Sequence, residues 1–559
     1  MNSPSVRKGL SVSELAGALQ RMEDKIDNLV AKTTANQGVG PLSDRSHPSS
    51  TTQPPNTPDP VSPISAFTPS RLGSVQIRQE LAIPERHCTA PQHLLTWSCS
   101  PLTLNDRELR YPVDLESKQA RLRKTTAAPV CLSQSMSEVS SSWLSTISLS
   151  QLRDLANLYF THFHPQCLIL EVDNFYHHHL SRTLRVGFDD SLSSCVVLLV
   201  LSLGSVVACQ TDGREWAQSD SATDMLEFEA GLSFFNLACN IFRDVEDVSW
   251  ESVQCLLLIA LYNSSKLRVY DHWRFINKAC STVIILLPLE EKLQAHHCQL
   301  YWIAYLQESQ ILVEFEFHSS GLSGLESSVP LPLLPDPGID PRQKEYQFFL
   351  LALVSMRRLL NRIHSHLYNQ ERLVTPTPSV LYELNRQIEE WKQCLPSSFQ
   401  FSDLILSNEV RIASQTDKRS MQERLKGHLK ARYNAAKTIL YRPHVHRVIH
   451  SSRIDASDYE VECAKTAIAS ALIGILHGGI MHEPFQLLLF PINSWRTLFA
   501  IRIQIQMIQR TEVSGLAAAL LPDGWEVIDR VQAIIVDAAS PFSPTITRDY
   551  EIIQSLVEV

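Results

Sequence analysis

The feature that most constrains this chain is an apolar periodicity of about 3.6 residues, which begins near residue 143 and continues almost to the end. The stretch SLSQLRDLANLYFTHF shows it first, with Leu152 and Leu155 on one face and Ser148 or Ser150 as the predicted N-cap. Runs of alternating apolar and polar residues, which indicate half-buried strands, are hard to find. The sequence therefore predicts an all-α fold.

Further predicted helices follow one another, with one long break at 319–341 that is rich in Gly and Pro. Because 44% of the 559 residues are hydrophobic, they can bury a large common core. We therefore predict one large helical domain over residues 143–559. After residue 162 its helices are predicted at 224–242, 250–262, 272–287, 292–317, 344–368, 380–394, 421–450, 459–477, 494–510 and 524–538.

The most apolar segment lies between Cys195 and Cys209 and contains Ser202, Gly204 and Ser205. A membrane-spanning helix needs about 20 apolar residues. Since this segment is shorter, the sequence predicts a buried core helix and no membrane partner.

The 12 cysteines include no C-x-x-C pair, and most of them lie in apolar runs. This distribution is typical of reduced, buried thiols in an intracellular protein, and it excludes a zinc site built on close cysteine pairs. The net charge of −9 disfavours a self-sufficient DNA-binding chain, because phosphate contacts need a basic surface.

A second pattern occupies residues 11–31, where apolar residues are spaced alternately three and four apart. This spacing is the seam of a heptad repeat. One interpretation is a coiled-coil-like dimerisation segment over residues 1–33, and the other is an amphipathic helix docked on its own domain. The seam residues are Val12, Leu15, Leu19, Met22, Ile26 and Leu29.

Two segments separate this pattern from the helical domain. Residues 34–79 are rich in Pro, Ser and Thr and have almost no apolar periodicity, so they are predicted to be a disordered linker. Residues 80–142 are predicted to be a partly ordered segment that joins the linker to the domain. Within it, RLRK at 121–124 is interpreted either as a nuclear-import patch or as an exposed helix end.

Several segments occur in an order that resembles one known family. They are HCTAPQHLLTW (87–97), YFTHFHPQCLILEVDNF (159–175), VLLVLSLGSVVA (197–208), HWRFINKAC (272–280), MRRLLNRIHSHLY (356–368) and ARYNAAKTILYRPHV (431–445). Over roughly residues 80–510 the chain resembles the middle homology, or regulatory, domain of fungal Zn(II)2Cys6 transcription factors. The last two segments carry the most specific resemblance.

The motif residues also have a physical interpretation, which is structural. Their aromatic rings are expected to anchor the core. Pro443 is predicted to interrupt its helix, so that Arg442 binds the freed carbonyls or a carboxylate. Ligand-binding residues stay unassigned. The motif residues are Trp97, His164, Pro165, Trp273, Tyr301, Trp302, Arg357, Arg358, Arg442 and Pro443.

The resemblance implies a nuclear regulator of transcription in a fungal metabolic or secondary-metabolite pathway. It implies a homodimer or a heterodimer with a related regulator, and a small-molecule effector. The family reads DNA with six cysteines that hold two zinc ions, and this sequence contains no C-x-x-C pair. We therefore expect that the chain does not read DNA directly, or that an upstream zinc cluster or a partner does so. Zinc would be needed only by such a cluster. A co-regulator that does not bind DNA is the alternative.

Enzymatic and metal-binding interpretations find little support in the sequence. His162, His164 and Cys167 lie close together, but neighbouring residues on a helix point about 100° apart and do not converge on one ion. An isoprenoid-type enzyme would need several converging carboxylates for magnesium, and Asp189 and Asp190 lack a third at helical spacing. The sequence predicts no catalytic residue, no metal ligand and no enzymatic activity.

Overall fold

Helices form the regular structure, as the periodicity predicted, and no strand occurs among the residues that the structure describes. This computed structural model describes residues 83, 87–102, 104–105, 107–126, 144, 147–212, 230–245, 247–332, 340–368, 373, 375–402, 419–451, 456–484, 487–511, 515–539 and 542–558. The helices are α1 Tyr111–Thr126, α2 Leu149–His162, α3 Leu192–Asp212, α4 Leu232–Val245, α5 Trp250–Ser265, α6 Val269–Leu286, α7 Ala295–Glu314, α8 Pro341–Leu367, α9 Pro378–Cys394, α10 Met421–His450, α11 Asp458–His477, α12 Pro491–Arg510, α13 Leu516–Leu520, α14 Val527–Ala539 and α15 Pro544–Glu558.

Shorter helical turns connect some of these helices. Between α2 and α3 the chain passes from an α turn through a π-helical stretch, Phe175–Leu180, into a second α turn. The other short segments are 3₁₀ helices at Pro91–Thr96, Glu108–Arg110, His164–Gln166, Leu287–Leu289 and Leu322–Ser328, and the two α turns are Val172–Asn174 and Ser181–Val186.

Three helices begin with the same capping device. The serine before the helix accepts a hydrogen bond from the third helical residue, whose side chain in turn accepts one from the serine backbone. Each capping box provides acceptors for two backbone N–H groups that have no partner within the helix. Of the two N-caps predicted for α2, Ser148 is the one used. The pairs are Ser148 with Gln151, Ser420 with Glu423 and Ser457 with Glu460.

The centre of the domain is made by helices that are buried on all sides. Every residue from 252 to 265 in α5 is buried, as is every residue from 300 to 313 in α7. The stretch Leu192–Gln210 of α3 has a mean hydropathy of 2.4 and is long and apolar enough to cross a membrane, but 94% of it is buried. A helix that is apolar all round belongs in a core, and α3 lies in the interior as predicted.

Gly204 allows α2 and α3 to approach each other closely. A Cβ atom at this position would lie 2.1 Å from the carbonyl oxygen of Leu155 on α2. The glycine in VLLVLSLGSVVA is therefore required by helix packing, because any side chain would force the two backbones apart.

The residues before α1 pack on the C-terminal helices. Leu94 and Leu95 belong to the same apolar cluster as α11, α12 and α15. Tyr111, at the start of α1, donates a hydrogen bond to Asp549 on α15, and Trp495 and Arg496 on α12 donate to the same carboxylate. Hydrogen bonds to the buried carboxylate of Asp549 thus connect the start of α1 with α12 and α15.

Pro443 lies inside α10 without interrupting it, so the predicted break in this helix is wrong. Proline leaves the carbonyl four residues earlier without its helical donor. That carbonyl belongs to Ile439, and it accepts a hydrogen bond of 2.7 Å from the buried hydroxyl of Tyr368. A tyrosine from the end of α8 therefore replaces the missing backbone donor, which allows α10 to continue to His450.

Other differences from the sequence prediction concern the helix ends. Helix α7 ends at Glu314, after which the backbone is extended, and α15 was not predicted at all. The described residues all lie in the compact unit that contains Leu81–Val559. The heptad seam from Val12 to Leu29 and the linker at 34–79 lie outside the described residues.

Candidate functional site

A cavity of about 150 Å³ lies between the end of α7, helices α8, α10, α11 and α12, and the residues before α1. Six arginines and four histidines line it, against two glutamates, among the residues that the structure describes. We call it the arginine cavity after its six arginines, which are Arg357, Arg419, Arg424, Arg432, Arg442 and Arg496.

Two of these arginines meet at one neutral side chain. Arg357 on α8 donates through Nη2 to Oε1 of Gln310 on α7, at 2.5 Å, and Arg432 on α10 donates through Nη1 to the same oxygen, at 2.7 Å. Arg432 also donates through Nε to Nε2 of His428, at 3.1 Å, so that nitrogen acts as an acceptor. The two guanidinium groups are held close together without a carboxylate between them.

A third arginine reaches across the cavity to the segment before α1. Arg442 is 6% exposed, and its Nη1 donates to the backbone carbonyl of Thr89 at 2.9 Å. The hydroxyl of Thr89 lies 3.1 Å from Nδ1 of His364 on α8. This contact joins α10 to the N-terminal segment, in place of the bond predicted from Arg442 to freed carbonyls or to a carboxylate.

Carboxylates compensate only part of this positive charge. Arg424 pairs with Glu483 at 2.9 Å, and Arg496 pairs with Asp549 at 2.7 Å. The three arginines that contact Gln310 and Thr89 form no ion pair with any residue in the described ranges. The cavity therefore carries an excess of positive charge.

The pKa values of the lining groups reflect this excess. Burial lowers the pKa of Arg357 to about 10 and that of Arg432 to about 9, and the charge of Arg357 adds to the effect on Arg432. Both stay protonated at neutral pH. Burial raises the pKa of Glu314, against the attraction of Arg496, Arg442 and Arg357. Burial and the adjacent arginines hold the pKa of both His364 and His428 well below the usual value, which keeps these rings neutral.

The predicted aromatic anchors all lie in packed surroundings. Tyr301 and Trp302 on α7 are fully buried and donate to the backbone carbonyls of Leu322 and Pro330, at 3.1 and 2.7 Å. Trp273 is partly buried and stacks on Phe317, with 4.7 Å between the ring centroids. Trp97 is 9% exposed and meets the edge of His446 at 4.8 Å.

The structure separates the two arginines that adjoin in the motif MRRLLNRIHSHLY. Arg357 is 4% exposed and lines the arginine cavity. Arg358 pairs with Glu326 and lies over the ring of Trp302, 5.8 Å from its centroid. Arg358 thus fixes the loop after α7, whereas Arg357 contributes charge to the cavity.

The histidine clusters do not converge. His164 is 3% exposed, and burial lowers its pKa to about 4; it follows α2 and precedes Pro165, also buried, in a 3₁₀ turn. Farther along the chain, His297 stacks on Trp250, with 4.3 Å between the ring centroids. No group of three His, Cys, Asp or Glu side chains that could hold a metal ion occurs in the described part of the chain.

The acidic pair considered for magnesium binding has a structural use. Asp189 pairs with Arg182 at 2.7 Å and accepts hydrogen bonds from Ser191 and Ser194, both near the start of α3. These contacts hold its pKa well below the usual value. Asp189 therefore fixes the turn before α3.

The comparisons with known proteins show which class of domain part of this chain resembles. Residues 156–393, which run from α2 to α9, match the family described as the fungal specific transcription factor domain. This segment is thus similar to the middle homology region of fungal Zn2Cys6-type regulators, the family that the motifs also resemble.

A curated relative is also named as a transcription factor. The chain is 24% identical over 309 residues to a protein of Aspergillus rugulosus named "Putative transcription factor ecdB", which covers 48% of this chain and 48% of the relative. The chain thus spans about half the length of the relative that it matches. No solved structure matches the chain.

The sequence prediction missed the arginine cavity. Most of its basic residues come from helices α8, α10, α11 and α12, and five of the six arginines, all except Arg357, lie beyond residue 393, where the family match ends. One local signal was available. Arg357 is surrounded on its helix by Leu353, Val354 and Leu360, at positions three and four residues away, which places its charge on an apolar face.

Proposed function

We propose that this protein is a nuclear regulator of transcription in a fungal metabolic or secondary-metabolite pathway, with the helical domain as its regulatory part. The observation that carries the proposal is the match of residues 156–393 to the fungal specific transcription factor domain. The named relative from Aspergillus rugulosus supports the same role. The protein acts by binding other regulators and not as an enzyme. DNA reading comes from a zinc cluster outside this sequence or from a partner.

A reporter experiment tests the proposal. The chain is fused to a heterologous DNA-binding domain in a fungal host, and reporter expression is compared with that of the DNA-binding domain alone. We expect expression to change at least about threefold, which corresponds to about 0.65 kcal/mol in apparent free energy. A fluorescent tag on the unfused chain is expected to report nuclear accumulation. An unchanged reporter together with exclusion from nuclei would contradict the proposal.

A co-regulator without DNA contact is the second candidate, and the net charge of −9 favours it. The two candidates differ in the behaviour of the purified chain with duplex DNA at physiological salt. The co-regulator shows no sequence-specific binding, whereas specific binding by this chain alone would exclude it.

Dimerisation through the heptad seam is part of the proposed mechanism. Replacing Leu19 and Ile26 by aspartate places charges at two seam positions, so we expect the protein to become a monomer. The measurement is molar mass by light scattering at several concentrations. The control carries Q20D and N28D, which add the same charge at positions off the seam and are expected to leave the dimer intact. A mass that is the same for all three proteins contradicts the dimer.

A further inference from the structure

The charge of the arginine cavity is only partly balanced by carboxylates of the protein. Arg357 and Arg432 share one neutral acceptor, Gln310, and Arg442 is bonded to a backbone carbonyl. Burying a guanidinium group without a counter-charge is costly. Three guanidinium groups without an ion pair are costly to bury around one cavity, whereas they are well suited to hold an anion.

Donors also remain unused around the cavity. Nη1 of Arg357 and Nε of Arg442 are buried and have no hydrogen-bond partner among the described residues. The two side chains are 4% and 6% exposed, and both line the cavity. Buried polar groups normally find partners, so these donors indicate a ligand that supplies acceptor oxygens.

We propose that the arginine cavity is a binding site for a compact small molecule that carries carboxylate or phosphate groups. Arginine is suited to both groups, because its planar fork of donors matches two oxygens at once. The volume of about 150 Å³ limits the ligand to a small metabolite. The neutral rings of His364 and His428 also line the cavity and can provide further hydrogen bonds.

The position of the site gives binding a structural consequence. Arg357 and Gln310 belong to the family-matched segment 156–393, whereas Arg432 and Arg442 lie on α10, outside it. An anion held by all four residues would tie these two parts of the domain together. Binding is measured on the purified chain, so the inference stands or fails separately from the role in transcription.

The experiment uses the purified full chain and two probes, citrate and pyrophosphate, each titrated at constant ionic strength with sodium chloride as the reference. We expect at least one probe to raise the melting temperature saturably, by about 2 °C or more. Stronger stabilisation by citrate identifies the ligand as a carboxylate, and stronger stabilisation by pyrophosphate identifies it as a phosphate. A melting temperature that neither probe raises above the sodium chloride reference overturns the proposal.

Variants locate the effect. Replacing Arg357 by methionine is expected to weaken probe binding at least tenfold, measured by isothermal titration, because one of the three arginines that have no ion pair is lost. Gln310 keeps its bond to Arg432 in this variant. The matched control is R358M, which changes the neighbouring arginine outside the cavity and should bind the probe with unchanged affinity. Equal weakening in R357M and R358M overturns the site.

A second variant keeps the test decisive if R357M does not fold. Ala435 on α10 lines the cavity, and leucine at this position fills space without removing any charge. A435L is expected to weaken probe binding at least tenfold while the chain stays folded by circular dichroism. Unchanged binding in A435L shows that the probe binds elsewhere, and the proposal then fails.

Discussion

Replacing Asp549 by alanine is expected to lower the free energy of unfolding by about 3–5 kcal/mol, because it leaves a buried guanidinium without its counter-charge. The side chains of Asp549 and Arg496 are both 0% exposed, and Nη1 of Arg496 lies 2.7 Å from Oδ2 of Asp549. The same carboxylate accepts hydrogen bonds from Tyr111 and Trp495, which also lose their acceptor. The measurement is denaturant unfolding followed by circular dichroism.

Helix α12 offers a matched control for this substitution. Arg502 on the same helix pairs with Asp529, but the Asp529 side chain is 66% exposed. Arg502 itself is 7% exposed, but water reaches Asp529 and screens the pair, so D529A is expected to cost less than D549A, about 1 kcal/mol. Similar losses in D549A and D529A would show that burial of the first pair does not decide its contribution.

A double variant separates the charge from the packing at this site. Replacing Asp549 by leucine and Arg496 by methionine removes both charges and keeps most of the volume. We expect D549L/R496M to be more stable than D549A, since buried ion pairs are often replaceable by apolar residues of similar size. A double variant that is less stable than D549A contradicts the role given to the unpaired charge.

Periodicity predicted most helices because their burial is decided locally. In α5 and α7 most residues are apolar, which is typical of core helices. Helix α15 was missed although Pro544 occupies its first turn and Ile546, Ile553 and Leu556 follow at helical spacing. Those were available signals.

Long-range contacts were beyond the sequence analysis. The proline in α10 predicts a break by local rules. No break occurs, because the hydroxyl of Tyr368 donates a hydrogen bond to the carbonyl of Ile439, 71 residues away, which Pro443 leaves without a helical donor. The same limit applies to the arginine cavity, where Arg357 and Arg432 meet at Gln310 only after three helices have packed.

A second buried acid makes stability depend on pH. Glu116 on α1 is 0% exposed, and its Oε1 accepts hydrogen bonds from the hydroxyls of Thr545 and Ser543, at 2.7 and 3.2 Å. Burial outweighs these bonds and raises its pKa to about 7. The folded chain therefore binds a proton that the unfolded chain has lost between pH 4.5 and 7. The resulting stabilisation is complete below pH 4.5 and is lost as the pH rises through 7.

Replacing Glu116 by glutamine is expected to remove this dependence, because glutamine resembles the protonated acid and does not titrate. Relative to wild type, E116Q should gain about 2 kcal/mol in the free energy of unfolding between pH 5 and pH 7.5. The comparison with wild type is needed because buried histidines such as His164, whose pKa burial lowers to about 4, change stability in the opposite direction in both proteins. A difference between E116Q and wild type that is the same at both pH values would show that Glu116 does not take up a proton on folding.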